Sequence, residues 1–230
     1  MFPRVLKGEL AVRDKYEIGS FKEVFLSPFY WRLFDCLEKK TPPRIVVDLG
    51  GHCGHFPILC DLVIENRFKH SDAHYYIFEG QKSLIANIER NLAKTGLSDR
   101  CTIIHGLVGK RSGLGKIFIP KKSRLTASVH FNGSANEGKV NEVPYVDIEK
   151  ILGDSDTKID VLKLDIEGSE YEVFDTYPDL LKRTQIVLGE FHSHGGKLDA
   201  LYQIIQDAGF QLNGPKIVKG NDELALLVRG

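Results

Sequence analysis

Two rhythms of apolar and polar residues alternate along the chain. The segment "RIVVDL" at 44–49 is a short β-branched apolar run between "TPP" and a pair of glycines, the pattern of a buried strand. In "FPILCDLVIENRF" the spacing of Phe56, Leu59, Leu62 and Val63 is helical. A strand in "HYYIFE" and a helix in "SLIANIERNLAKTG" follow; Leu84, Ile85, Ile88 and Leu92 form the apolar face, and Gly96 stands where a C-terminal cap belongs. "CTIIHGLV" is a third strand. Strands and helices in strict alternation, without long gaps, predict parallel strands joined by right-handed crossovers.

From about 110 to 146 the rhythm breaks. "GLGKIFIP" and "KVNEVPYVDI" read as strands around the polar stretch "KKSRLTASVHFNGSANEG", which predicts a hairpin excursion with a long loop beside the functional end of the sheet. The alternation then resumes with a strand in "KIDVLKLD", a helix beginning in "SEYEVFDTY", a strand in "TQIVLGEFH", an amphipathic helix in "KLDALYQIIQDAG" and a closing strand in "ELALLVRG". Ahead of the first strand, "SFKEVFLSPFYWRLFDCLEKK" is helical and rich in aromatics. The organisation predicted is an N-terminal helical cap over 1–40 and one α/β domain over 41–230, with the cap packed on the sheet or covering a pocket.

Composition narrows the partners. Thirty-one basic residues balance 31 acidic ones among 230, and the one basic cluster, "PKKSR" at 120–124, is short. A nucleic acid or an anionic membrane surface selects for a basic face, so neither is expected as partner. No apolar run reaches the roughly 20 residues that span a bilayer, and the N-terminus lacks the apolar core of a signal peptide. Cys36, Cys53, Cys60 and Cys101 show no CxxC spacing, which suits a reducing, cytoplasmic compartment. A homo-oligomer is left open.

In open α/β sheets, ligands bind beyond the carboxyl ends of the strands. The loop "VVDLGGHCGHF" lies at the first such end. Its glycines, Gly50, Gly51 and Gly54, follow Asp48 with a spacing unlike the GxGxxG of nicotinamide enzymes. Gly50 and Gly51 would admit a ligand close to the backbone, and Gly54 a tight helix–strand contact. Glu79, ending the second strand, is placed to accept both ribose hydroxyls of an adenosine. His52 is expected over a cofactor and His55 at the surface or the start of the helix. A zinc site on His52, Cys53 and His55 is disfavoured, because on a tight turn three side chains diverge and no further CxxC or HxxxH completes four ligands. Cys53 and Cys60 read as small buried packers.

Two later strand ends carry acids. "DVLKLDIEGSEYEVF" places Asp165 and Glu167 toward the crevice, with Lys163 as an ion-pair partner for Asp165 and Glu170 confined to helix capping. In "LGEFHSHGG", Glu190 and His192 share a face of an extended chain, so Glu190 would hold the imidazole as a general base, while His194 belongs to the loop.

In this order and spacing, "VDLGGHCGHF", "YIFEG", "VLKLDIEGSEYEVF" and "EFHSH" resemble the FkbM-type S-adenosylmethionine-dependent methyltransferases, over roughly residues 20–228. The resemblance implies a Rossmann-like class I methyltransferase fold in the α/β class, a seven-stranded mostly parallel sheet with an antiparallel last strand. It implies transfer of a methyl group to a hydroxyl of a small molecule such as a sugar or polyketide. Asp48, Gly50, Gly51 and Gly54 would then wrap the methionine part of S-adenosylmethionine, with His52 against the cofactor. Glu79 would hold the ribose, and Gly106 and Leu107 of "HGLV" would lie by the adenine. Asp165, Glu167, Glu190 and His192 would border the transferring methyl and the small-molecule acceptor. The chain departs from the family's usual pattern at Gly51, His52 and Gly80. His192 oriented by Glu190 is the expected base; a magnesium or manganese ion on Asp165, Glu190 and His192 would acidify the acceptor instead. The rival readings are a nicotinamide oxidoreductase and a nucleotide-binding module without activity.

Overall fold

The computed structural model describes residues 15–37, 41–121, 129, 138–153, 156–193 and 198–230. The N-terminal stretch before Lys15, most of "PKKSR", the polar loop between the hairpin strands other than Val129, and His194 lie outside the described residues. The cap consists of α1 (Lys15–Phe21), a π-helical turn (Lys22–Leu26), α2 (Pro28–Trp31) and α3 (Leu33–Cys36). Behind it come β1 (Ile45–Leu49), α4 (His55–Phe68), β2 (His74–Glu79), α5 (Lys82–Thr95) and β3 (Cys101–His105). The excursion is β4 (Leu114–Pro120) and β5 (Gly138–Pro144), and α6 (Ile148–Leu152) leads into β6 (Ile159–Leu164). The chain continues with α7 (Glu170–Thr176), α8 (Pro178–Lys182), β7 (Thr184–Phe191), α9 (Leu198–Asp207), β8 (Phe210–Leu212), β9 (Ile217–Lys219) and β10 (Asp222–Arg229).

The sheet runs β3-β2-β1-β6-β7-β10-β8, with β9 also paired to β10. Strands β3, β2, β1, β6 and β7 are parallel neighbours, and β10 is antiparallel to β7, β8 and β9. The antiparallel closing strand is therefore as expected, but the sheet has eight strands rather than seven. Strands β8 and β9 are three residues each and largely exposed, so they carry too little apolar pattern to be read. The hairpin β4–β5 forms a separate two-stranded sheet, joined to the body by the bridge Leu107–Tyr145.

Two cores lie on opposite faces of the sheet, as the period-two alternation of buried strands requires. Val46 belongs to one, with Tyr75, Ile77 and the cap's Phe29, Tyr30 and Leu33. Val47 and Leu49 belong to the other, with Phe174, Phe191 and Ile205. Helix α4 is buried over most of its surface rather than along one stripe, because the sheet covers one side and the cap the other. Strand order reverses between β1 and β6, and the crevice at that switch point opens toward the ends of β1, β2 and β6.

Candidate active site

The glycine loop is shaped by its neighbours in the protein. Gly50 adopts φ +86°, and a Cβ there would stand 1.9 Å from the Asp165 carbonyl oxygen. A Cβ on Gly51 would meet Ile77 Cγ2 at 2.3 Å. Both N–H groups donate to the Phe78 carbonyl at 3.0 Å, which ties the end of β1 to β2. Gly50, Gly51 and His52 line the cleft, whereas Asp48 and Gly54 do not reach its wall. What forbids side chains at Gly50 and Gly51 is therefore protein packing, not only the approach of a ligand. Gly54 (φ +74°) precedes α4 and backs onto Ile88. His55 starts α4 as expected but is not on the surface: it is buried, with Nδ1 2.8 Å from Ser20 Oγ and the rings of Phe21 and Phe25 edge-on to it. Burial lowers its pKa to about 4, so it is neutral near pH 7.

Glu79 closes β2 and is buried on the cleft wall. Its Oε2 accepts from the His52 N–H at 2.8 Å and its Oε1 from the Gln81 N–H at 2.6 Å. Burial nonetheless pushes its pKa up to about 7. Gly106, Leu107 and Val108, just past β3, form the adjoining wall.

Beneath the loop lies a buried ion pair that the sequence reading did not assign. Lys163 Nζ is 3.1 Å from Asp48 Oδ1 and 3.7 Å from Asp165 Oδ2, and it donates to the Gly50 carbonyl at 2.6 Å. Lys163 does pair with Asp165 as expected, but Asp48 is nearer. Burial raises the Asp48 pKa to about 6 even against the pull of Lys163. A lysine inside an apolar strand was the available signal, since buried charges are paired.

The histidine is held differently from the expectation. His192 Nδ1 is 2.8 Å from Glu170 Oε1, while the Glu190 carboxylate accepts from Lys219 at 2.9 Å. Glu170, read as a capping residue only, is the imidazole's anchor; its Oε1 also accepts from the N–H groups of Ile166 and Gly168. On the other side, His192 Nε2 lies 3.7 Å from Glu167 Oε2. Glu167 stands on the cleft wall with a left-handed backbone (φ +55°), whereas His192 and Glu190 sit behind that wall. Strained backbone at a non-glycine residue is concentrated at functional sites. Burial works to lower the His192 pKa, but the bond to Glu170 and the nearby carboxylates prevail and raise it to about 9. The Glu167 carboxyl is raised to about 8, chiefly by burial. Both pKa values lie above the groups' ordinary ones, which favours an imidazolium facing Glu167 over the free imidazole expected.

The cap and the hairpin complete the walls. Ser20, Glu23, Val24 and Tyr30 come from the cap, and Ile117 and Val129 from the hairpin side. Lys219 of β9 joins Glu23 of the cap to Glu190 of β7, at 2.8 and 2.9 Å. The cleft encloses about 990 Å³, counting the space open to solvent at its mouth. Among the described residues, Asp165, Glu167 and His192 bring one donor atom each within 4.8 Å of one another, and so do Glu190, His192 and Asp222. Such oxygen-rich sets suit magnesium or manganese. They split the expected trio of Asp165, Glu190 and His192 in two.

The sequence matches the family model of the methyltransferase FkbM domain over residues 61–212. No curated protein matches it. Methyltransferase FkbM from Methylobacillus flagellatus KT superimposes with a TM-score of 0.51 at 14% identity, over 94% of this chain and 56% of that one. The chain thus spans little more than half of that protein. The human methyltransferase 10 domain containing protein gives a TM-score of 0.48 at 12% identity, over 89% and 79% of the two chains. The METTL16 MTase domain gives 0.49 at 14%, over 89% and 66%.

Proposed function

The chain belongs to the methyltransferase FkbM domain family, and from that premise we propose that it methylates a hydroxyl of a small molecule with S-adenosylmethionine as donor. One observation carries the reading: a single cleft at the strand ends has the buried Glu79 carboxylate on one wall and Asp165 and Glu167 on another. The residues fit the cofactor. A carboxylate that is buried, raised to about 7 and bonded, among the described residues, by two backbone donors has room to accept hydroxyl groups from a ligand.

When bound, the cofactor supplies a methyl group on a sulfonium, an electrophile that needs no further activation. The chain's own residues then position the acceptor and remove its proton. Glu79 holds the ribose hydroxyls, and the Gly50–Gly51 backbone, pinned by Lys163 and the Phe78 carbonyl, borders the methionine part. Glu167 takes the proton of the acceptor hydroxyl. His192, anchored by Glu170, stabilises the Glu167 carboxylate as a positioning residue. Asp165 lies on the same wall, its charge balanced by Lys163. The charge-balanced sequence supports a partner that is neither nucleic acid nor membrane. No helix among the described residues is long and apolar enough to cross a membrane.

Isothermal titration with S-adenosylmethionine and S-adenosylhomocysteine tests the reading. Wild type binds both in the micromolar range, and Glu79→Ala loses at least tenfold, about 1.4 kcal/mol. A folded wild type that binds neither overturns the proposal. Turnover retained in EDTA supports Glu167 as the base; turnover abolished and restored by magnesium or manganese supports the metal reading.

A further inference from the structure

Tyr30 is out of place as a mere packing residue. It is 1% exposed, with its ring 5.0 Å from Phe29 and 5.8 Å from Phe56, centroid to centroid. A phenylalanine would fill that space as well. Yet Tyr30 lies on the cleft wall, and its hydroxyl has no hydrogen-bond partner among the described residues. Buried tyrosine hydroxyls ordinarily find one: Tyr75 donates to Asp61 at 3.0 Å and Tyr177 to the Lys110 carbonyl at 3.1 Å, and the Tyr202 hydroxyl, which finds none among the described residues, does not line the cleft. Burial, followed by the charges of Asp165, Glu23 and Glu190, holds the Tyr30 pKa well above the usual phenol value, so the group stays a donor.

The surroundings restrict what it can donate to. Ser20, Glu23, Asp165 and Glu167 share the cleft with it. Among the described residues on that wall there is one lysine and no arginine, and Lys163 is held between Asp48 and Asp165. A phosphate or carboxylate on the acceptor would meet like charge, whereas neutral hydroxyl groups match carboxylates as donors and Tyr30 as acceptors.

We propose that Tyr30 is the cap's recognition residue for the acceptor, its hydroxyl donating to a second oxygen of an uncharged, polyoxygenated small molecule whose reacting hydroxyl faces Glu167. This deepens the methyltransferase reading and rests on it. The test labels the Cζ carbons of all eight tyrosines with carbon-13 and follows them by NMR in protein saturated with S-adenosylhomocysteine. The Tyr30 signal is identified by its absence from Tyr30→Phe and, independently of that variant folding, by nuclear Overhauser contacts to the Phe29 and Phe56 rings. The probes are D-glucose, L-rhamnose and myo-inositol, with D-glucose 6-phosphate as the anionic counterpart.

At least one uncharged probe shifts the Tyr30 signal saturably and binds Tyr30→Phe about three- to tenfold more weakly, the worth of one neutral hydrogen bond. The phosphate leaves the signal in place, and S-adenosylhomocysteine binds both proteins within threefold. The proposal is overturned if no uncharged probe moves the signal, if Tyr30→Phe binds the probes as tightly as wild type, or if the phosphate binds best. Failure of wild type to bind S-adenosylhomocysteine sinks the methyltransferase reading; binding with a silent Tyr30 sinks this proposal alone.

Discussion

Replacing Lys163 by methionine keeps the shape of a buried side chain and removes a cation that lies within 4 Å of both Asp48 and Asp165. The consequence depends on pH in a way the structure specifies. The Asp48 pKa in the folded protein, about 6, is above its ordinary 3.8. Its contribution to stability is therefore fully present below 3.8 and is lost as pH rises through 6, by about 3 kcal/mol at 1.36 kcal/mol per unit. Without Lys163 the carboxyl holds its proton to higher pH. At pH 8, two units above the wild-type value, keeping that proton adds up to about 2.7 kcal/mol to the cost of folding. At pH 5 Asp48 is already protonated in both proteins, and the difference vanishes. The lost bond to the Gly50 carbonyl weakens the protein equally at both pH values. Urea unfolding should show the Lys163→Met penalty to be about 2–3 kcal/mol larger at pH 8 than at pH 5, an extra shift of roughly 1 M in midpoint. Asp48→Asn combined with Lys163→Met should erase the gap. An equal penalty at the two pH values, or a gap that survives in the double variant, would refute the assignment of Asp48 as the coupled group.

The NMR titration of the His192 ring should centre near pH 9 in wild type and at least one unit lower in Glu170→Gln, which removes the carboxylate bonded to Nδ1; an unmoved titration would contradict the anchoring role. Turnover should rise with pH through about 8, as Glu167 loses its proton, and in Glu170→Gln that limb should move upward because the imidazolium that favours the carboxylate is weakened. Gly50→Ala and Gly96→Ala both force alanine into a left-handed backbone, at about 1–2 kcal/mol. Only the first also drives a methyl group into a carbonyl oxygen, Gly96 having nothing within 4 Å, so urea midpoints should rank Gly50→Ala well below Gly96→Ala. Lys219→Met should leave Glu23 and Glu190 facing each other without a counter-ion and loosen the cap, measured as stronger acrylamide quenching of Trp31, the single tryptophan; an unchanged quenching constant would mean that the ion pair does not hold the cap.

The α/β alternation was legible because buried strands advertise themselves as apolar runs, whereas the antiparallel closing strand and the class I methyltransferase fold came from the resemblance to the FkbM family. Strands β8 and β9 were not, since three residues drawn from "FQL" and "IVK" have no period to detect. Cleft-lining positions such as Gly50, Glu79, Asp165 and Glu167 could be read from their place at strand ends. The partners of the histidine could not. Glu190 is near His192 in sequence, but Glu170, 22 residues away, reaches it because α7 starts directly beside the end of β7. The cap was expected either to pack on the sheet or to cover a pocket, and the fold shows both at once: Tyr30 of "SPFYW" is buried in the core and lines the cleft.

The absence of room for one methyl group between Gly50 and the Asp165 carbonyl has a design consequence. The glycine loop and the strand end bearing Asp165 are locked as a single block, so neither can drift without the other. Variation has to come from the parts outside that block: the hairpin, and the polar face of the cap, tied by contacts such as Lys219 to Glu23 while Phe29 and Leu33 stay in the core. A laboratory seeking a new acceptor would therefore graft or diversify those two pieces and leave the block untouched. The chemistry would be inherited intact and the selectivity rewritten.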